Sequence, residues 1–384
     1  MPRDIARLRG LLNASRKRAC QDSGGGSSTK GGRTPAGSKS NRPAFCILAI
    51  AILVAMLTGT ALAQSVAYKP EYRLSVAVGG SYAWARGAER WAQIIRDRTA
   101  GRINVRVLPG ASAVGGDPSN ELEALRTRGV DLAVGSALNW APRIQPLTLF
   151  ALPFLVGDDR HLDALTSGPV GATIFRAMTD AGIVPLAWGD NGFRQLASRA
   201  RSTRLPADFK GLRLRVSGPP ILDDTVATLG AVPVRQKWSE AQKAVLDGSL
   251  HAVEIGLATY VTTKAHTLGL DRLLLWNIVA EPLIFAANKA AWEEWSETDR
   301  EIVRIAALAA AQGEIAEARA ASAAALERIA KDLRGTVTVD RLDASQRAAF
   351  AAALEPVTKR WTASVGEALV GDAMKAMEGA SAPR

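Results

Sequence analysis

Leu74-Ser75-Val76-Ala77-Val78-Gly79-Gly80 decides the fold: apolar residues alternate with small or polar ones and stop at paired glycines, the pattern of a strand ending in a turn. The next stretch changes period. Ala88, Trp91, Ala92 and Ile95 recur at helical spacing on one face, and Gly101 stops them. Ile103-Asn104-Val105-Arg106-Val107 alternates as a second strand. Pro109-Gly110 and Gly115-Gly116-Asp117-Pro118 read as turns, Glu121 to Arg128 as a helix, and Val130-Asp131-Leu132-Ala133-Val134 as a third strand. This β-α-β-α-β order predicts an α/β domain with a largely parallel sheet. The pattern then restarts. Lys210 to Val216 and Val232-Pro233-Val234 read as strands, Ile221 to Leu229 and Glu240 to Leu246 as helices, and His251-Ala252-Val253-Glu254 opens a further strand. Two similar blocks predict two lobes facing a cleft.

The chain has 384 residues with 48 Lys+Arg against 37 Asp+Glu, a net charge of +11 that invites a nucleic-acid reading. The charge is in the wrong place for it. Residues 1–43 hold ten basic and two acidic residues, and a charge-free apolar run from Ala44 to Ala63 follows, ending in Ala61-Leu62-Ala63. Basic stretch, apolar core and small-x-small site together read as a secretory signal peptide cleaved after Ala63. A membrane anchor is the competing reading of a run that long, and the Ala-rich composition and the A-x-A site favour cleavage. Cys20 and Cys46 both lie in this leader, so the mature chain is expected to lack cysteine and suits the periplasm without disulfides. Three histidines (His161, His251, His266) without H-x-x-x-H spacing leave no metal site, and no cofactor motif occurs.

Ser296-Glu297-Thr298-Asp299 reads as a capping box that opens an Ala-rich helix running to Leu333, with Gly335 as its stop. At 1.5 Å per residue such a helix reaches roughly 50 Å, longer than one lobe. Gly313 costs about 1 kcal/mol relative to Ala and permits a break into two shorter helices.

Several segments carry a family likeness. Leu152-Pro153-Phe154-Leu155, the block Gly182 to Arg194 (G-I-V-P-L-A-W-G-D-N-G-F-R), Phe209 to Val216, Leu229 to Val234 and Trp238-Ser239-Glu240 resemble, in order and spacing, the motifs of substrate-binding proteins of tripartite ATP-independent periplasmic (TRAP) transporters. The likeness runs from about Leu74 to about Lys331. It implies a type II periplasmic-binding-protein fold of two lobes joined by a hinge, with a long helix crossing both. Lobe I is expected over 64–190 plus about 283–315, and lobe II over 191–282 plus about 316–384. It further implies a monomer that captures a small organic acid and hands it to small and large membrane subunits, without enzymatic activity.

In that family two arginines hold the ligand carboxylate, and the matching positions here are Arg194 and Arg215. A guanidinium offers a planar fork of donors that fits a carboxylate and stays charged near neutral pH. Arg213 shares a strand face with Arg215, so alternation alone leaves both open, and the family register favours Arg215. Either Ala variant is expected to abolish binding with little change in fold. Where the family has D-G-x-E-N, this chain reads His251-Ala252-Val253-Glu254-Ile255. Glu254 is expected to organise the arginines, and Ile255 in place of the asparagine disfavours a sugar acid or hydroxy-dicarboxylate that needs the amide. Trp238, Ile255 and Tyr82 lining the cleft would favour an apolar or aromatic body on the acid, whereas Trp84 is expected in the core.

Two other functions compete. A periplasmic sensor that docks on a membrane receptor would use the same cleft. A secreted enzyme lacks support: there is no G-x-S-x-G elbow, no metal cluster and no mature-chain cysteine, and Asp158-Asp159 and Asp223-Asp224 read as turn and helix-start residues.

Overall fold

Tyr72, Leu74 and Val76 are completely buried and anchor the first strand, β1 (Tyr72–Val76). A computed structural model describes residues 68–199 and 201–381. The leader, its apolar run and the cleavage site at Ala63 lie outside the described residues. After β1 come α1 (Ala83–Arg98), β2 (Val105–Leu108), α2 (Glu121–Arg126), β3 (Leu132–Ser136), the single turn α3 (Ala137–Trp140), α4 (Asp159–Ser167), α5 (Pro169–Asp180) and β4 (Ile183–Ser198). The second block holds β5 (Arg213–Arg215), α6 (Ile221–Thr228), β6 (Val232–Val234), α7 (Trp238–Leu246), β7 (Ala252–Gly256), α8 (Leu257–Thr262), β8 (Arg272–Leu275) and β9 (Ala280–Asn288). The chain continues through α9 (Lys289–Glu294), α10 (Glu297–Asp332), β10 (Thr338–Arg341), α11 (Ala344–Val365) and α12 (Glu367–Ser381). Among the described residues no helix is long and apolar enough to cross a membrane.

The strands run in the order β2-β1-β3-β9-β4-β7-β5-β6, with β8 and β10 reached through β4. The outer pairings are parallel, as the helix-linked repeats predict: β1 with β2 and β3, β5 with β6 and β7, and β8 with β10. Around β9 and β4 the pairing turns antiparallel: β9 runs opposite to both β3 and β4, and β4 runs opposite to β7. The long strand β4 joins both lobes: Ile183 to Phe193 pairs with β9, and Arg194 to Ser198 pairs with β7. Its register slips between Asp190 and Phe193, where Gly192 takes a left-handed φ of 75° that a side-chain-bearing residue resists. Residues 276–279 lead from β8 back to β9, and Arg194 N donates to Val279 O at 3.0 Å, so the two crossings lie side by side.

The third crossing is α10, 36 residues long and unbroken at Gly313. Ser296 Oγ accepts from Asp299 N at 3.2 Å and starts it. A Cβ at position 313 would meet only the guanidinium end of Arg90, which pairs with Glu317 and could shift aside. Val303, Ala306 and Ala310 pack into the first lobe's core with Trp91 and Phe285, while Ala325 and Ile329 pack into the second lobe's core with Val253 and Tyr260. Midway, Arg319 Nε donates to Asp190 Oδ2 at 2.9 Å and Nη2 to Asp163 Oδ1 at 2.6 Å, tying the helix to the bulge in β4 and to α4. Of the C-terminal helices, α12 packs on α4 and α5, and α11 packs on α6. Phe350 of α11 closes an aromatic cluster with Phe154, Phe209 and Trp276.

Candidate functional site

Where β4 leaves the first sheet, four ionisable side chains gather. Arg194 lies on β4 in register with Gly256 of β7. Its Nη2 donates to Glu281 Oε1 at 2.7 Å, and both side chains are largely buried, at 12% and 2% exposure. Glu281 is an acid in an otherwise apolar strand, and its lone pairs are taken. Oε1 also accepts from Ser136 Oγ at 2.7 Å, and Oε2 accepts from Asn191 Nδ2 at 2.7 Å. Burial pulls the Arg194 pKa down, but Glu281 and Glu254 together raise it above the ordinary value. Arg194 Nε is buried with no hydrogen-bond partner.

Arg215 ends β5. Its Nε donates to Gln236 O at 3.1 Å, and its guanidinium carbon stands 5.8 Å from the Trp238 ring centroid. Burial, followed by the charge of Arg194, lowers its pKa to about 10. Arg213 points to the same side two residues earlier but is exposed and donates to Ser249 O at 2.7 Å. The alternation therefore holds, and position along the strand separates the two: the C-terminal end of β5 reaches the cluster.

Glu254 lies on β7, which runs between β4 and β5. It is 4% exposed, and its Oε2 has no hydrogen-bond partner. Burial raises its carboxyl to about 7 against the pull of Arg194, with Glu281 pushing it further up. The next residue, Ile255, alternates to the opposite face and packs in the apolar cluster that holds Val253, Leu257 and, at its edge, Trp238. His251 Nδ1 accepts from Arg213 N at 3.0 Å, a strand-end role. Tyr82, half-buried, precedes α1 at the edge of the first lobe's core, and burial raises its pKa. Trp84 is a core residue, donating from Nε1 to Val134 O at 2.6 Å.

The structure thus brings Arg194, Arg215, Glu254 and Trp238 together, and Ile255 lies on the face of β7 that Val253 shares with Arg215, in the cluster that Trp238 packs against. Glu281, Asn191 and Ser136 escaped the sequence reading. A lone acid within Ile278-Val279-Ala280-Glu281-Pro282-Leu283-Ile284-Phe285 was the available signal, since a buried carboxylate demands a cationic partner. A separate cavity of about 470 Å³ lies against α10, lined by Gln195, Asn277, Arg319 and Arg347 and by none of the four clustered side chains. Among the described residues no group of three or more His, Cys, Asp or Glu side chains could hold a metal ion.

Residues 75–364 match the family model described as DctP, bacterial extracellular solute-binding protein, family 7. The chain is similar to a TRAP periplasmic solute-binding protein from Ralstonia eutropha H16 whose structure holds (S)-2-acetolactate. The two are 41% identical with a TM-score of 0.78, over 81% of this chain and 100% of that one. A solute-binding protein of Verminephrobacter eiseniae is 28% identical over 283 residues, 73% of this chain and 81% of that protein. An uncharacterized protein of Sinorhizobium fredii is 30% identical over 179 residues, 47% of this chain. The match spans 33% of that longer protein.

Proposed function

Since this chain belongs to the bacterial extracellular solute-binding proteins of family 7, we propose that it captures a small organic carboxylate between its lobes and delivers it to a TRAP-type membrane transporter. It is a solute carrier and not an enzyme. The leader is removed after Ala63, and the mature protein works in the periplasm as a monomer. One lobe comprises 64–190 with about 283–315, and the other 191–282 with about 316–343; α11 and α12, expected in the second lobe, pack instead on α4 and α5 of the first as well as on α6 of the second.

Arg215 carries the reading. It is a half-buried residue whose guanidinium makes no ion pair among the described residues, next to an arginine already neutralised by Glu281. A cation so placed calls for an anion, and a carboxylate matches its fork of donors. The solute carboxylate bridges Arg215 and the free Nε edge of Arg194, with Glu254 between them. Trp238, backed by Ile255, and Tyr82 from the other lobe contact the solute's apolar body. Closure follows from the solute's higher affinity for the closed state. The 41%-identical relative with bound acetolactate, a carboxylate, supports this class of ligand.

Thermal-shift screening of an organic-acid library against the wild type and Arg215→Ala tests the reading. A bound acid at a hundredfold excess over its Kd stabilises the wild type by about 2.7 kcal/mol and leaves the variant unmoved. Equal stabilisation of both proteins by the same acid removes the arginine from the site.

A further inference from the structure

Arg194, Arg215, Glu254 and Glu281 share the ground where β4, β5, β7 and β9 meet. Arg194 is in register with Gly256 and Arg215 with Val253, so Glu254 lies between two arginine-bearing strands. Both oxygens of Glu281 are hydrogen-bonded, whereas Glu254 keeps a buried Oε2 with no partner. The charged groups acting on Glu254 are Arg194 from β4, Glu281 from β9, Arg215 from β5 and Arg235 just beyond β6, and Arg235 is already paired with Asp223. With both glutamates ionised the four clustered charges cancel. A solute with one carboxylate then leaves one uncompensated negative charge in a closed, dehydrated site, and a dicarboxylate leaves two. Uncompensated buried charge is costly. One proton on Glu254 restores neutrality around a monocarboxylate and turns the orphan oxygen into a hydroxyl that donates to the solute. The same proton cannot neutralise a dianion.

From this charge balance we infer that Glu254 sets the solute's charge: the site takes up a monocarboxylate together with one proton, held on Glu254, and discriminates against dicarboxylates. The inference rests on the carboxylate reading above. The proton comes from solvent and converts the Glu254 carboxylate to a carboxylic acid, while the solute stays ionised. Burial already holds the Glu254 carboxyl near 7, and an arriving anion raises it further, well past mildly alkaline pH, so that it stays protonated there.

Calorimetric titration in two buffers of different ionisation enthalpy measures the proton directly. The probes are (S)-2-acetolactate, lactate, pyruvate, isobutyrate and benzoate as monocarboxylates, and succinate, malate and 2-oxoglutarate as dicarboxylates. Near pH 8, about one proton is taken up per monocarboxylate bound, and the Kd weakens up to about tenfold per pH unit above pH 7. Dicarboxylates bind at least about a hundredfold more weakly than the best monocarboxylate. Glu254→Gln abolishes both the proton uptake and the pH slope. The buffer comparison needs only the wild type, so it decides the matter even if the variant folds poorly. Binding of monocarboxylates without proton uptake, or a dicarboxylate as tight as the best monocarboxylate, overturns this inference and leaves the carboxylate reading standing. Failure of every acid to bind overturns both.

Discussion

Arg194 donates to Glu281 at 2.7 Å while Arg215, its neighbour in the cluster, makes no ion pair among the described residues, so two arginines of one motif set have different duties. Arg194 is a structural cation as well as a ligand group. Replacing it by Ala leaves the Glu281 carboxylate buried without its cation, and Glu281→Ala leaves Arg194 in the same state. Each change is expected to destabilise the fold by about 3–5 kcal/mol, read as a lowered midpoint in urea. Arg215→Ala breaks no ion pair among the described residues. It is expected to keep the wild-type midpoint and to weaken solute binding about a thousandfold, roughly 4 kcal/mol by calorimetry. A wild-type midpoint for Arg194→Ala would contradict this division of labour.

Trp238 stands over the Arg215 guanidinium and borders the apolar cluster of the second lobe. Trp238→Ala removes a cation–π contact of about 0.5–2 kcal/mol together with apolar area at the cleft. Solute affinity is expected to fall by about tenfold, and Trp238→Phe to recover part of it. Equal affinities for the wild type and the Ala variant in the same titration would place Trp238 outside the cleft.

Close approach of α1 to α10 depends on Gly87. A Cβ at that position would lie 2.7 Å from Glu314 Cγ. In an exposed helix Gly→Ala gains about 1 kcal/mol. Here the clash is expected to reverse the sign, and Gly87→Ala to destabilise by about 1–3 kcal/mol in chemical denaturation.

Two further carboxyls are buried outside the arginine cluster. Glu121 Oε1 accepts from Ser75 Oγ at 2.7 Å, and Glu314 Oε2 accepts from Asp190 N at 2.9 Å. Burial raises each to about 8 from an ordinary value of 4.5. The folded chain holds these protons at pH values where the unfolded chain has released them. The stability so conferred is complete below about pH 4.5 and is lost as pH rises through 8, at up to about 1.4 kcal/mol per unit for each group. Melting temperatures of the wild type should therefore fall relative to Glu121→Gln and Glu314→Gln between about pH 5 and 8. Parallel melting curves across that range would show that these carboxyls are ionised in the folded protein.

The outer strands and helices were legible because each carries a clean period and ends in a glycine turn. Val232–Val234 matches its sequence reading, and β1 is offset by two residues because Tyr72, not only Leu74 and Val76, is buried. The N-cap at Ser296 was equally plain, but the reciprocal half of the expected box is replaced: Ser296 N donates to Tyr68 Oη, and the Asp299 carboxylate pairs with Arg102. The strands β4 and β9 were not read as strands. Pro185, Gly189, Gly192 and a bulge interrupt the alternation of β4, while β9 is buried along its whole length and has no polar face to alternate with. The helices α11 and α12 escaped notice because an alanine-rich helix shows little contrast between its faces. In the site, Arg194 and Arg215 came from motif position. Which carboxylate holds Arg194 could not be read, since it depends on β9 lying beside β4 across 87 residues of sequence.

Two parallel ribbons between plates would permit shearing and rotation as readily as opening. The rod from Glu297 to Asp332, fixed in one core by Val303 and Ala310 and in the other by Ala325 and Ile329, adds a stiff strut that resists both. Midway along it, Arg319 staples the strut to the kink in the ribbon at Asp190, so parting the two cores has to bend this strut or unstaple it.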